Sequence, residues 1–290
     1  MLPRNYTSTD NKERVREEDT ILIKKEFLRK KRKLIYLGMP SGEMRDILAW
    51  QSYVDKCTAV EIDPHQRSEL VLNAIKNGLE NNINLLFGDI EEILINGRDG
   101  FNNGLEFPYD IVFLDCFGTL VYKGLKRIKA ITSLIKKQKG NSFLFLITFN
   151  LRERRYSKSS AIRVLDKIQK EVSSFYIHDD SIKKRVHDVM GWYKLDKTNE
   201  MYRQKVFVSY FFKAIAEEHG FKIHVYPPIF YLGFNNSPMM HFSFKMIPEI
   251  DSPTKAISEQ TIIDLINLNI KEASKKKLFV KKEQAPSLIV

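Results

Sequence analysis

The residues with an evident chemical use stand at the ends of short apolar runs. Leu34–Gly38 (LIYLG) runs into Met39, Pro40, Ser41 and Gly42. A turn bracketed by glycines lets backbone come close to a nucleotide, while the helix that follows points its first N–H groups at it. Glu61 ends a second run roughly 20 residues later, the separation at which a carboxylate can accept hydrogen bonds from both hydroxyls of a ribose. Asp63 lies on the same strand face and competes for that role, although its place before Pro64 also suits a helix cap. A third run ends in Phe87, Gly88 and Asp89. Asp89 can take the exocyclic amine of an adenine, with Ile90 or Phe87 packing on the ring and Ile62 counted in the same pocket. Equally, Asp89 can cap a helix opening at Ile90. A fourth run ends in Asp115, Cys116, Phe117 and Gly118, where an acid beside an aromatic can hold a flat acceptor by stacking and a hydrogen bond.

These positions require an alternating scaffold. The runs 34–38, 58–63, 83–89, 109–115 and 142–150 read as strands, separated by helix-like stretches, as in a mostly parallel sheet flanked by helices. Such a sheet binds ligands at the carboxyl ends of its strands, where strand order reverses. Residues 152–202 are charged and less regular, which suggests an insertion. A helix ending at Gly220 follows, then FKIHVYPPIFYLG and MMHFSFKMI, two strands of a closing antiparallel hairpin joined by FNNSP. At the front, 1–32 reads as a basic extension with an amphipathic helix showing Ile21, Ile23, Phe27 and Leu28. At the back, 251–290 reads as one amphipathic helix and a Lys-rich tail.

Composition narrows the classes. With 47 Lys and Arg against 36 Asp and Glu, the 290-residue chain carries a formal charge of +11, which favours polyanions. Arg152, Arg154 and Arg155, just after the fifth run, are candidate phosphate contacts. The two cysteines, Cys57 and Cys116, and six scattered histidines show no metal-ligand spacing, so no metal is assigned. Cys116 lacks a neighbouring base and reads as a buried thiol rather than a nucleophile. There is no apolar signal core and no run of about 18 apolar residues, so a cytoplasmic protein without membrane attachment is expected. The sequence does not indicate an oligomeric state.

YLGMPSGEMRDI, TAVEIDP, LLFGDIEEIL and YDIVFLDCFGT resemble motifs one to four of class I S-adenosylmethionine-dependent methyltransferases, across about residues 33–150 of a 33–250 domain. The resemblance implies a seven-stranded sheet whose last strand is inserted antiparallel, with S-adenosylmethionine as cofactor. It places Gly38, Met39, Pro40, Ser41 and Gly42 in the cofactor loop, Glu61 with Ile62 at the ribose, and Asp89 with Ile90 at the adenine. Asp115 and Phe117 fall at the reaction centre. SGEMRDI and DCFGT are similar to segments of tRNA guanine-N2 dimethyltransferases, which implies an exocyclic amine acceptor and RNA as partner. Two positions depart from the pattern: Cys116 replaces a proline, and Tyr36 stands where many of these enzymes carry an acid. Alternatives are a degenerate fold that binds RNA or protein, or a methyltransferase of small molecules or proteins. A nicotinamide-dependent oxidoreductase would need a third glycine in the turn, and residues 44–46 provide none.

Overall fold

The computed structural model describes residues 10–116, 118, 120, 125–138, 140–150, 208–209, 211–213, 215–233 and 237–249. The expected insertion, the C-terminal helix and tail, Phe117, Arg152, Arg154 and Arg155 all lie outside the described residues.

The chain opens with helix α1 (Asp10–Lys30) and continues with β1 (Leu34–Gly38), α2 (Arg45–Trp50), β2 (Val54–Glu61), α3 (Pro64–Lys76) and β3 (Ile83–Phe87). Then come α4 (Ile90–Asn96), β4 (Ile111–Cys116), α5 (Leu125–Lys137) and β5 (Phe143–Asn150). Strands β6 (Phe221–Val225), β7 (Ile229–Leu232) and β8 (Pro238–Pro248) close it. Asp63 caps α3, accepting from the His65 N–H, and Pro64 begins the helix, so β2 stops at Glu61 rather than reaching Asp63.

The sheet order is β3-β2-β1-β4-β5-β8-β6. The first five of these strands are parallel, and β8 enters antiparallel between β5 and β6. The sequence suggested one strand over FKIHVYPPIFYLG. Instead Pro227 and Pro228, which have no N–H to donate, break it into β6 and β7, and both pieces pair with the same edge of β8. The seventh place in the sheet is therefore filled by two short segments, giving eight strands.

Each face of the sheet has its own core. Leu37, Val112, Leu114, Phe145, Phe242 and their neighbours meet α4, α5 and the helical residues near 208–218. The opposite face joins Leu34, Tyr36, Ala59, Ile111 and Leu144 to Ile23 of α1 and to Ile47 and Trp50 of α2. β5 lies at the centre and is buried along nearly its whole length, as its unbroken run FLFLITF requires.

α1 was expected to be a basic extension, yet 10–30 form one helix packed on that second face. Its inward stripe is Val15, Asp19, Ile23 and Glu26, whereas Ile21 and Leu28 are 52% and 61% exposed. The acids can face inward because each meets a buried partner from β8, Asp19 with His241 and Glu26 with Lys245.

Candidate functional site

Strand register brings the key residues together. Gly38 pairs with Ala59 on one side and Phe113 on the other, so Glu61 and Asp115 each lie two residues beyond the level at which the glycine turn leaves the sheet. Two residues return a side chain to the same face. Tyr36, Gly38, Glu61 and Asp115 therefore share the face covered by α1–α3. Two strand spacings separate Glu61 from Asp115, about 10 Å between their backbones, with the turn between them.

The glycines of the turn are explained by their neighbours. A Cβ at Gly38 would run into the Tyr36 hydroxyl, and one at Gly42 into the Glu69 carboxylate of α3. The turn is also tied to α3: the Gly42 N–H donates to Gln66 Oε1 at 2.9 Å, and Asn73 Nδ2 donates to the Gly42 carbonyl at 2.8 Å. Pro40 is buried, Met39 packs against the α4–α5 core, and Ser41 takes a left-handed φ of 57°.

Glu61 is half-buried, and one carboxylate oxygen accepts the Asp63 N–H at 2.8 Å. Burial raises its pKa against those turn N–H groups and the nearby Arg67. Ile62 beside it is 59% exposed, an apolar side chain open at the strand ends. Arg67 lies 4.9 Å over the Phe87 ring on the neighbouring strand end. Asp89 does cap α4, accepting the Glu91 N–H at 2.8 Å, and it also pairs with Lys126 at 3.4 Å. Ile90 turns into the core.

Asp115 faces α1, where Lys12 Nζ lies 2.8 Å from its Oδ2. The Asp115 charge raises the Lys12 pKa despite burial. One turn along, Arg16 binds Asp46 of α2 at 2.6 Å and also pairs with Glu13. Asp46 is raised by its own burial, which Arg16 only partly offsets. Between these ion pairs stands Tyr36. It is 1% exposed, packed edge-on against Trp50, and its hydroxyl meets no hydrogen-bond partner among the described residues. Burial pushes that hydroxyl well above its ordinary pKa, with Asp46 adding to the effect.

In the same row as Asp115, Thr148 and His241 follow on β5 and β8. The His241 ring nitrogens lie 2.9 Å from Thr148 Oγ1 and 2.9 Å from Asp19 Oδ1, which ties α1 to the sheet beneath the site. Cys116 is buried. No cluster of metal-binding side chains occurs among the described residues, and no helix among them is long and apolar enough to cross a membrane.

The strand order, with its antiparallel strand set between β5 and β6, decides the architecture. The fold is that of class I methyltransferases. No protein-family model matches the sequence, and no curated protein matches it. Among solved structures, the chain is similar to the O-methyltransferase TomG from Streptomyces achromogenes in complex with S-adenosylmethionine. The two are 12% identical with a TM-score of 0.45, and 80% of each chain is covered. It is also similar to an rRNA methylase from Streptococcus thermophilus, at 12% identity and a TM-score of 0.40, covering 79% of this chain and 97% of that one. The methyltransferase domain of bacterial CtHen1 is 10% identical with a TM-score of 0.45, covering 81% and 99%.

Within this methyltransferase fold, Lys12, Arg16, Asp46 and Arg67 join the site without having been marked by sequence. Lys12 and Asp115 are 103 residues apart, and no local pattern links them. Arg67 could have been found, because the capped start of α3 at Asp63 puts it one turn into that helix, near Glu61.

Proposed function

We propose that the protein is an S-adenosylmethionine-dependent methyltransferase acting on RNA, with an exocyclic amine as acceptor. The observation that carries this is the placement of Glu61 and Asp115 at equal depth, on one face, either side of the glycine turn. The residues present suit the cofactor. Glu61 has an oxygen left for ribose hydroxyls after accepting from Asp63, Ile62 offers an apolar seat for a ring, and the orphaned Tyr36 hydroxyl marks a polar space beside the turn. When bound, the cofactor supplies a methyl group already activated by its sulfonium.

The protein then has to hold and align the acceptor. Asp115 accepts a hydrogen bond from the acceptor amine and takes up its proton, once Lys12 has yielded that oxygen. Phe117 stacks on the base, and Arg152, Arg154 and Arg155 contact phosphates. Asp89, beside the adenine seat, contributes through the helix end it caps. RNA as the acceptor is supported by the formal charge of +11 and by the exposed Lys24, Lys25, Lys31, Arg32 and Lys33 along and just beyond α1.

Tritiated S-adenosylmethionine incubated with separate pools of RNA, DNA, protein and metabolites tests this. Label enters RNA with the wild type and falls at least about 100-fold with Asp115→Ala. Label in protein or metabolites alone would overturn the acceptor, and no cofactor binding in calorimetry would overturn the activity. One set of contacts favours a second reading, a non-catalytic RNA-binding module: the Gly42 N–H is engaged by Gln66, and Asp115 is held by Lys12. It predicts RNA affinity unaltered by Asp115→Ala and no methyl transfer.

A further inference from the structure

Four ionic groups with alternating sign surround one buried hydroxyl at the start of α1. Lys12 pairs with Asp115, and Arg16 pairs with Asp46, so the signs run cation, anion, cation, anion across the ends of β1 and β4. Two of the anions, Asp46 and Asp115, reach the Tyr36 hydroxyl with their fields, as does Arg16. That hydroxyl is closed off from solvent and has no partner among the described residues. Buried polar groups in folded proteins are nearly always paired, so an orphan at a strand end marks a place where a ligand completes the bonding. The cluster is not sealed. The Lys12 and Asp115 side chains keep 28% and 32% exposure, so it opens to solvent at that pair.

We propose that Tyr36, Asp46 and Lys12 form the seat for an α-amino-acid zwitterion, the amino-acid end of S-adenosylmethionine. The inference rests on the proposed cofactor and goes beyond it by assigning residues outside the glycine turn and strand ends. With adenosine on the Glu61 and Ile62 side of the turn, the other end of the molecule is directed toward β4 and α1. There Lys12 takes the carboxylate, and Asp46 and the Tyr36 hydroxyl take the ammonium. No single charge sign accommodates both groups, whereas alternating pairs do. Arg16 then acts as a positioning residue: it keeps Asp46 ionised although burial favours the neutral acid. Moving Lys12 onto the cofactor carboxylate releases Asp115, so cofactor binding itself prepares the acceptor site.

The test is titration calorimetry on the full chain with three probes. S-adenosylmethionine and S-adenosylhomocysteine carry the amino-acid end, and 5′-methylthioadenosine lacks it. Lys12→Met and Asp46→Asn are each expected to weaken S-adenosylhomocysteine at least about ten-fold while leaving 5′-methylthioadenosine within about two-fold. Lys12→Arg retains most of the affinity, and Tyr36→Phe loses several-fold on the two full-length probes only. Unchanged 5′-methylthioadenosine binding also reports that each variant is folded. If the affinity for all three probes falls in parallel, or Lys12→Met and Asp46→Asn leave S-adenosylhomocysteine within about two-fold, the seat is overturned. A wild type that binds 5′-methylthioadenosine as tightly as S-adenosylhomocysteine would remove the seat but keep the cofactor pocket. A wild type that binds none of the three removes both.

Discussion

At Gly38 a residue that resembles a cofactor contact has a second cause inside the protein. Tyr36 precedes it by two positions on the same face, and the Tyr36 hydroxyl fills the space a Cβ would need. The glycine and the tyrosine therefore depend on each other, whatever binds at the turn. Gly38→Ala is expected to destabilise the protein by about 1–3 kcal/mol through overpacking. In a Tyr36→Ala background the same change should cost less than about 0.5 kcal/mol, because the clash is gone. A urea-unfolding double-mutant cycle measures the difference. Equal costs in both backgrounds would show that Tyr36 does not impose the glycine.

α1 shows how an element can be read correctly as a helix and wrongly as to its face. Apolar Ile21 and Leu28 suggested the buried stripe, but the stripe that packs carries Asp19 and Glu26. Their partners lie more than 200 residues away on β8, so the pairing has no local signature. Asp19→Ala leaves His241 short of one of its buried hydrogen bonds and should cost about 1–3 kcal/mol. Ile21→Ala, on the exposed side, should stay within about 0.5 kcal/mol. Thermal midpoints of the two variants distinguish the faces, and the reverse ranking would place the helix the other way round.

Across the molecule, the end of α1 is fastened to the start of β4 by one acid. Asp110 accepts from Lys30 at 2.5 Å, from Arg32 at 2.7 Å and from the Ile35 N–H at 2.9 Å. Burial alone would raise its pKa, but Arg32, Lys30 and the Ile35 N–H together hold it below the ordinary 3.8. The sign follows from proton counting. As pH drops below 3.8 the unfolded chain takes up this proton before the folded one does, so the stabilisation is complete above 3.8 and is lost as pH falls through the depressed folded value. Asp110→Asn should cost about 2–3 kcal/mol near neutral pH. The gap to the wild type should narrow in strong acid, and urea denaturation at the two pH values checks it. A gap that widens in acid would show that the carboxylate is not what fastens α1.

Much of the architecture was legible along the chain because its signals are local. An apolar run bounded by a glycine turn, an Asp-Pro cap or a breaker announces a strand end, and the order of such ends implied a parallel sheet with an antiparallel closure. Glu61 and Asp115 were found for the same reason, since each terminates its own run. The sequence did not show the Pro227–Pro228 break as two strands on one edge of β8, the polar inward face of α1, or Lys12, Arg16 and Asp46 gathered around Tyr36. Those depend on which helix lies over which strand row, a matter of packing between segments distant in sequence. Periodicity specifies which side of an element is apolar, but a buried charge is tolerated only where tertiary structure delivers its counter-charge, and only the folded chain decides that.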